Sequence, residues 1–113
     1  MSGIAAVFLG AAILALLASM RWAARRYARF EKLPQHFGIT GEATYLGPPA
    51  LIIWQLPLLF IIVLLAIACL FVFVPRELQN GDPTIGMAIS AVALVSAHGF
   101  ILWLTERWAK AQP

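Results

Sequence analysis

Leu51 to Val74 reads LIIWQLPLLFIIVLLAIACLFVFV, and from Leu58 to Val74 it is apolar without interruption. It contains no Asp, Glu, Lys or Arg. About 20 apolar residues in an α-helix cross the roughly 30 Å hydrocarbon core of a bilayer. This stretch is long enough, and a soluble fold has no use for it. Working outward, Ile4 to Met20 and Ile85 to Leu104 are likewise apolar and free of those charges. With no water in the bilayer core, backbone groups must be satisfied within the segment, so each run predicts a helix. Period-2 alternation, the signature of barrel strands, is absent.

The expected fold is therefore all-α: an integral membrane bundle of three transmembrane helices at about 4–24, 51–74 and 84–104. Residues 1–113 form one domain, and a long polar loop covers 33–49. Of the 113 residues, 62% are hydrophobic, and the mean hydropathy is +0.87. Little chain remains for a water-soluble catalytic lobe. The charge after Met20, and its absence before Ile4, favours an uncleaved anchor over a signal peptide.

Charge placement predicts the orientation. Arg21, Arg25, Arg26, Arg29 and Lys32 follow the first span, and Arg107 and Lys110 follow the third. Of the eight Lys and Arg residues only Arg76 lies elsewhere, between spans two and three. Basic flanks stay in the cytoplasm, so the N-terminus is expected outside and the C-terminus inside. Trp22, Trp54, Trp103 and Trp108 all fall at the basic end, where half-buried indoles anchor helices at headgroup level.

The first helix is expected to continue through the arginines until Leu33-Pro34 stops it. Arg21, Arg25 and Arg29 then form one stripe, and with Arg26 they are assigned to lipid headgroups. No folded reading domain accompanies that stripe, so nucleic acid is not an expected partner. Pro57, early in span two, predicts a kink or break. Asp82-Pro83 reads as an N-cap with proline at the first helical position. In span three, Gly86, Ser90, Ala93 and Ala97 share one face and permit close helix packing, with an intrachain partner favoured. Ala6 and Gly10 form a similar pair in span one.

Catalytic chemistry is sparse: two histidines, one cysteine and five acids. Cys69 is expected as a small packing residue. His36 and Glu42 share the long loop, but two ligands do not make a metal site. No metal is expected, and the chain is not expected to be an enzyme. His98 lies within span three, where an ionisable side chain calls for a functional hypothesis. The expectation is an interhelical hydrogen bond near the small-residue face; contact with a tetrapyrrole is the sharper alternative, and no cofactor is assigned.

The long loop carries a recognisable pattern. Pro34, His36, Phe37, Gly41, Glu42 and Gly47 fall at offsets similar to those of a bacterial membrane family. Its domain of unknown function forms the N-terminus of immunity proteins against the sporulation-delaying toxin. Pro57 also resembles a proline early in that family's second span. Thr44 stands where the family has Asp, Pro49 where it has Lys, and one Leu33-Pro34 replaces a doubled motif. The resemblance implies a bacterial inner membrane and a loop exposed outside the cell, the side opposite to that given by the charge rule. Two roles are expected, the first from the sparse catalytic chemistry, the small-residue face and the compact size, the second from the resemblance. One is a small accessory or structural subunit contacting lipids and larger membrane proteins. The alternative is a self-contained immunity or sensing protein that recognises its target through the loop.

Overall fold

A computed structural model describes residues 2–79 and 81–113. Helix α1 spans Gly3–Arg26, strands β1 and β2 span Leu33–Phe37 and Ala43–Gly47, α2 spans Leu56–Phe73, and α3 spans Pro83–Lys110. One π-helical turn, Leu51–Gln55, leads into α2, and a 3-10 turn, Arg76–Leu78, follows it. The helices, counting the π turn with α2, have 24, 23 and 28 residues, and all three are long and apolar enough to cross a membrane. At 1.5 Å per residue they run about 36, 35 and 42 Å. The chain is a three-helix, multi-pass membrane protein.

The N-termini of α1 and α3 are built from local chemistry. Ser2 caps α1, its Oγ accepting from the Ala5 N–H at 3.1 Å. Asp82 caps α3 as the sequence predicts: Oδ1 accepts from the Thr84 N–H at 2.8 Å, with Pro83 at the start. The Ser2 and Thr84 hydroxyls meet at 2.6 Å and tie the two N-termini together.

Pro57 acts upstream of itself. Its ring has no N–H and crowds the carbonyl four residues earlier, that of Ile53. The helix widens there, and the Leu56 N–H bonds to the Leu51 carbonyl. The expected kink is thus a π turn, a common way to absorb a proline in a helix that must stay hydrogen-bonded in lipid.

Two expectations need correction. Helix α1 stops at Arg26, six residues before Lys32, with Tyr27 as its C-cap. No proline or glycine ends it; Tyr27 is drawn into the bundle and is 1% exposed. The segment 33–49 is not an irregular loop but an antiparallel β-hairpin, with Leu33 opposite Gly47 and Phe37 opposite Ala43. Its turn closes through Gly38 N–H to Glu42 carbonyl at 2.8 Å and Gly41 N–H to Gly38 carbonyl at 3.0 Å. Gly41 supplies the left-handed backbone this turn needs, with φ +86°. A lone two-stranded hairpin is marginal in water. This one is fixed by Leu33 and Pro34, both buried against the bundle.

The core has two parts. At membrane depth, Ala5, Ala12, Leu16, Leu64, Met87 and Ala91 pack with neighbouring aliphatic side chains. At the basic end, Ala23, Tyr27, Leu33, Ile52, Ile53, Leu102 and Ala109 pack together under the hairpin.

Candidate functional site

The polar chemistry of the bundle gathers at its basic end. Glu106, one turn from the end of α3, is held by two residues from the end of α1. Arg26 donates from Nε at 2.9 Å and from Nη2 at 2.5 Å, both to Oε1. The Tyr27 hydroxyl donates to Oε2 at 2.9 Å. Burial, then the bond to Glu106, pushes the Tyr27 hydroxyl pKa well above its ordinary value, so it stays protonated. Trp22 meets Tyr27 edge-on at 5.7 Å, and Phe30 stacks obliquely on Trp108 at 5.0 Å.

This network corrects two of the headgroup assignments. Arg26 is an internal ion-pair partner. Arg29 lies beyond α1 and donates to the carbonyls of Pro113 at 3.0 Å and Ala109 at 3.5 Å, closing the C-terminal end of α3. Its guanidinium also sits over the Phe30 ring at 4.0 Å. The stripe Arg21, Arg25, Arg29 is therefore broken; Arg21 and Arg25 stay exposed on α1, beside Trp22. Trp22, Trp54 and Trp103 are each about half exposed at this same end, while Trp108 is more enclosed.

The hairpin distributes its motif residues over three environments. Pro34 and Gly47 are buried at its base, where Gln35 folds over Gly47 and leaves no room for a Cβ. His36 is exposed and faces Tyr45 across the strands at 5.9 Å. At the turn, Gly41 lies on α3: a Cβ there would come within 3.1 Å of Leu104 Cδ2. Glu42 takes a hydrogen bond from the Thr40 hydroxyl, which above all else holds its carboxyl below the usual range. Phe37 is half-buried on the side facing α3. His36 and Glu42 are not joined by a third ligand; among the described residues no three His, Cys, Asp or Glu side chains come together.

The small-residue face is not the packing face of α3. The buried side runs through Met87, Ala91, His98 and Leu102, one residue (about 100°) round the helix. Gly86 still touches α2, since a Cβ would meet Phe71 at 3.0 Å. Ser90 is half-buried, and its hydroxyl bonds back to the Gly86 carbonyl. Ala93 and Ala97 are exposed, so an intrachain partner covers only the upper part of the stripe.

His98 is 1% exposed and lies edge-on to Phe60 at 6.2 Å. Among the described residues neither ring nitrogen has a hydrogen-bond partner, which corrects the expected interhelical bond. Phe60 offers an aromatic face where the sequence argument required an acceptor. Coordination of a tetrapyrrole metal there would require the helices to part. Cys69 is exposed on the outer face of α2 rather than packed.

Tyr27 as the residue that ends α1 is not apparent from the sequence. The available signal was Glu106, the one acid among the last turns of a basic end. Compared with protein-family models, with curated proteins and with solved structures, the chain has no match. What can be assigned comes from its own geometry: three membrane-spanning helices whose polar, aromatic and β-structured residues are concentrated at one interface.

Proposed function

We propose that this chain is a small, non-enzymatic accessory or structural subunit of a larger assembly in a bacterial inner membrane, N-terminus out and C-terminus in. The observation that carries this is the set of small residues left open on the outside of the bundle. Ala93 and Ala97 on α3, and Ala6 and Gly10 on α1, are exposed. A Cβ at Gly10 or Gly99 would meet nothing within 4 Å. A groove of about 250 Å³ runs between α1 and α3 past Ala11, Ala15, Val92 and Ser96. In lipid, apolar surface alone does not drive association; close backbone approach over small residues does. Such surface, unused within the chain, suits a helix of another membrane protein.

Extraction from native membranes in mild detergent tests this. Larger chains should travel with it at fixed stoichiometry, and Gly10→Leu or Ala97→Leu should release them without loss of membrane insertion. Migration alone or as a small homo-oligomer would sink the proposal. Labelling of Thr44→Cys, in a Cys69→Ala background, tests orientation: reagent outside intact cells should not reach it.

A second role, immunity or sensing through the hairpin, is favoured by one observation. The segment is an ordered hairpin that presents His36 and Tyr45 outward rather than a loose linker. In that case His36→Ala removes protection against a peptide toxin while the chain still inserts. Gly41→Val, strained by its φ and its contact with Leu104, does the same. Full protection by both variants would exclude it.

A further inference from the structure

The hairpin turn and the last turns of α3 enclose a cleft that neither role above uses. Two adjoining hollows of about 300 and 320 Å³ share Thr40, Gly41 and Arg107. Their remaining walls differ. One is bounded by Glu42, Ala43 and Trp108. The other is bounded by apolar side chains, chiefly Phe37, Phe100, Trp103 and Leu104. Along α3 the lining is therefore apolar at Phe100 and Trp103 and cationic at Arg107, and the hollow on the Trp108 side carries the acid Glu42.

The depth of this cleft follows from helix length. Leu104 lies 21 residues from the start of α3 at Pro83, or about 32 Å along it, near the far edge of a roughly 30 Å hydrocarbon core. Arg107 is one turn further out, at headgroup level. Its guanidinium lies over the Trp103 ring at 5.1 Å, and among the described residues the ion pair found is Arg26 with Glu106, not one involving Arg107. The hairpin tip is at the same depth, because Gly41 rests on Leu104. At that tip Ile39 is fully exposed, 106% of its reference area. An isoleucine at the apex of a turn, beside Phe100 and Trp103, suits acyl chains rather than water.

We propose that this cleft is a phospholipid site selective for a headgroup bearing a primary amine. The lipid phosphate sits at Arg107, its ammonium at Glu42, and an acyl chain lies along Phe100, Trp103 and Ile39. Charge complementarity selects this occupant over an anionic lipid. Cations dominate this end of the bundle and by themselves attract any anionic headgroup, but Glu42 repels a second negative charge next to the phosphate. Glu42 and Arg107 line one cleft without an ion pair between them. The Thr40 hydroxyl takes one hydrogen bond of the Glu42 carboxylate, whose remaining lone pairs can accept from an ammonium. The proposal rests on the membrane-spanning fold and not on the accessory-subunit role.

The test is lipid retention by the purified, delipidated full chain in mild detergent, read by native mass spectrometry with phosphatidylethanolamine and phosphatidylglycerol in equal amounts. Ethanolamine lipid should be retained in preference by about fivefold, the equivalent of about 1 kcal/mol for one charge at a headgroup. Glu42→Gln should abolish the preference while total retention holds. Arg107→Gln should lower retention of both lipids by about tenfold, as expected for loss of a charge-assisted phosphate contact. Lys32→Gln, an equal change of charge at an exposed residue outside the cleft, should leave retention unchanged. Each variant is first matched to the parent by circular dichroism and gel filtration. Equal or better retention of the glycerol lipid by the parent overturns the proposal. So does an ethanolamine preference that survives Glu42→Gln, or an equal loss from Lys32→Gln and Arg107→Gln.

Discussion

The two halves of the core obey different rules. At membrane depth Ala5, Ala12, Leu16, Leu64, Met87 and Ala91 meet as aliphatic surfaces, with small side chains on α1 and α3 letting the helices close. At the basic end the same helices are joined by the Arg26–Glu106 ion pair, the Tyr27 hydroxyl, stacked aromatics and a hairpin seated on Leu33. The difference follows the solvent. In hydrocarbon, neighbouring lipid is as apolar as leucine, so shape alone distinguishes a helix partner. At the interface water is near, and a charged pair can be assembled while part of each side chain stays wet. Position along the membrane normal thus decides which force holds the bundle.

The comparison can be sharpened by cutting each half. The largest effect is expected at Glu106→Ala, which removes the partner of Arg26 and Tyr27 at once. This pair, with side chains 37% and 19% exposed, is partly screened by solvent, but its loss also strips Tyr27 of its acceptor, so the fall in the unfolding midpoint should be the largest of the three. Thermal unfolding in detergent reads it, and a cycle with Arg26→Ala should show strong coupling. An unchanged midpoint would mean the interfacial half is decoration on a bundle held at depth.

Leu64→Ala tests the other half. In a soluble core the loss combines a transfer contribution and a cavity contribution. In lipid the transfer contribution largely vanishes, so the cost should be about 1–2 kcal/mol, the share left by the cavity. A loss as large as that at Glu106 would erase the distinction between the halves.

Tyr27→Phe is the smallest cut, at about 1 kcal/mol for one hydrogen bond. It also has a pH signature. The folded-state pKa of Tyr27 is raised above its ordinary value of 10.0. Its contribution is therefore complete below pH 10 and is lost as pH rises through that value, where the unfolded chain ionises first. Unfolding midpoints followed from about pH 8 to 11 should fall less steeply in the Phe variant than in the parent. Parallel curves would show that burial against the bundle and the bond to Glu106 do not raise the Tyr27 pKa.

How much of this was legible varied by element. The three spans, their flanking tryptophans and the Asp82-Pro83 cap were readable because each depends on local composition or on neighbours a few residues apart. Pro57 was read correctly as a disturbance, though its form, a π turn, depends on keeping every backbone group bonded. The hairpin was hidden. Its strands are only five residues each, the segment is punctuated by Pro34, Gly38, Gly41 and Gly47, and the strand pairing is fixed by Leu33 and Pro34 docking on the bundle. The packing face of α3 was misplaced by one residue, since every side of a membrane helix is apolar and hydropathy gives no phase.

The sequence by itself determined the solvent of this protein, the number of its crossings and the end at which its charge collects. Those properties are sums over residues, insensitive to which neighbour each one meets. Only the tertiary structure decided that Arg26 is an ion-pair partner and Arg29 a helix cap, that Tyr27 ends α1, and that Arg107 faces the hairpin turn with Glu42 nearby. These depend on helices separated by some 80 residues of chain coming into register, which is set by side-chain shape and hydrogen bonding at the contact rather than by hydropathy.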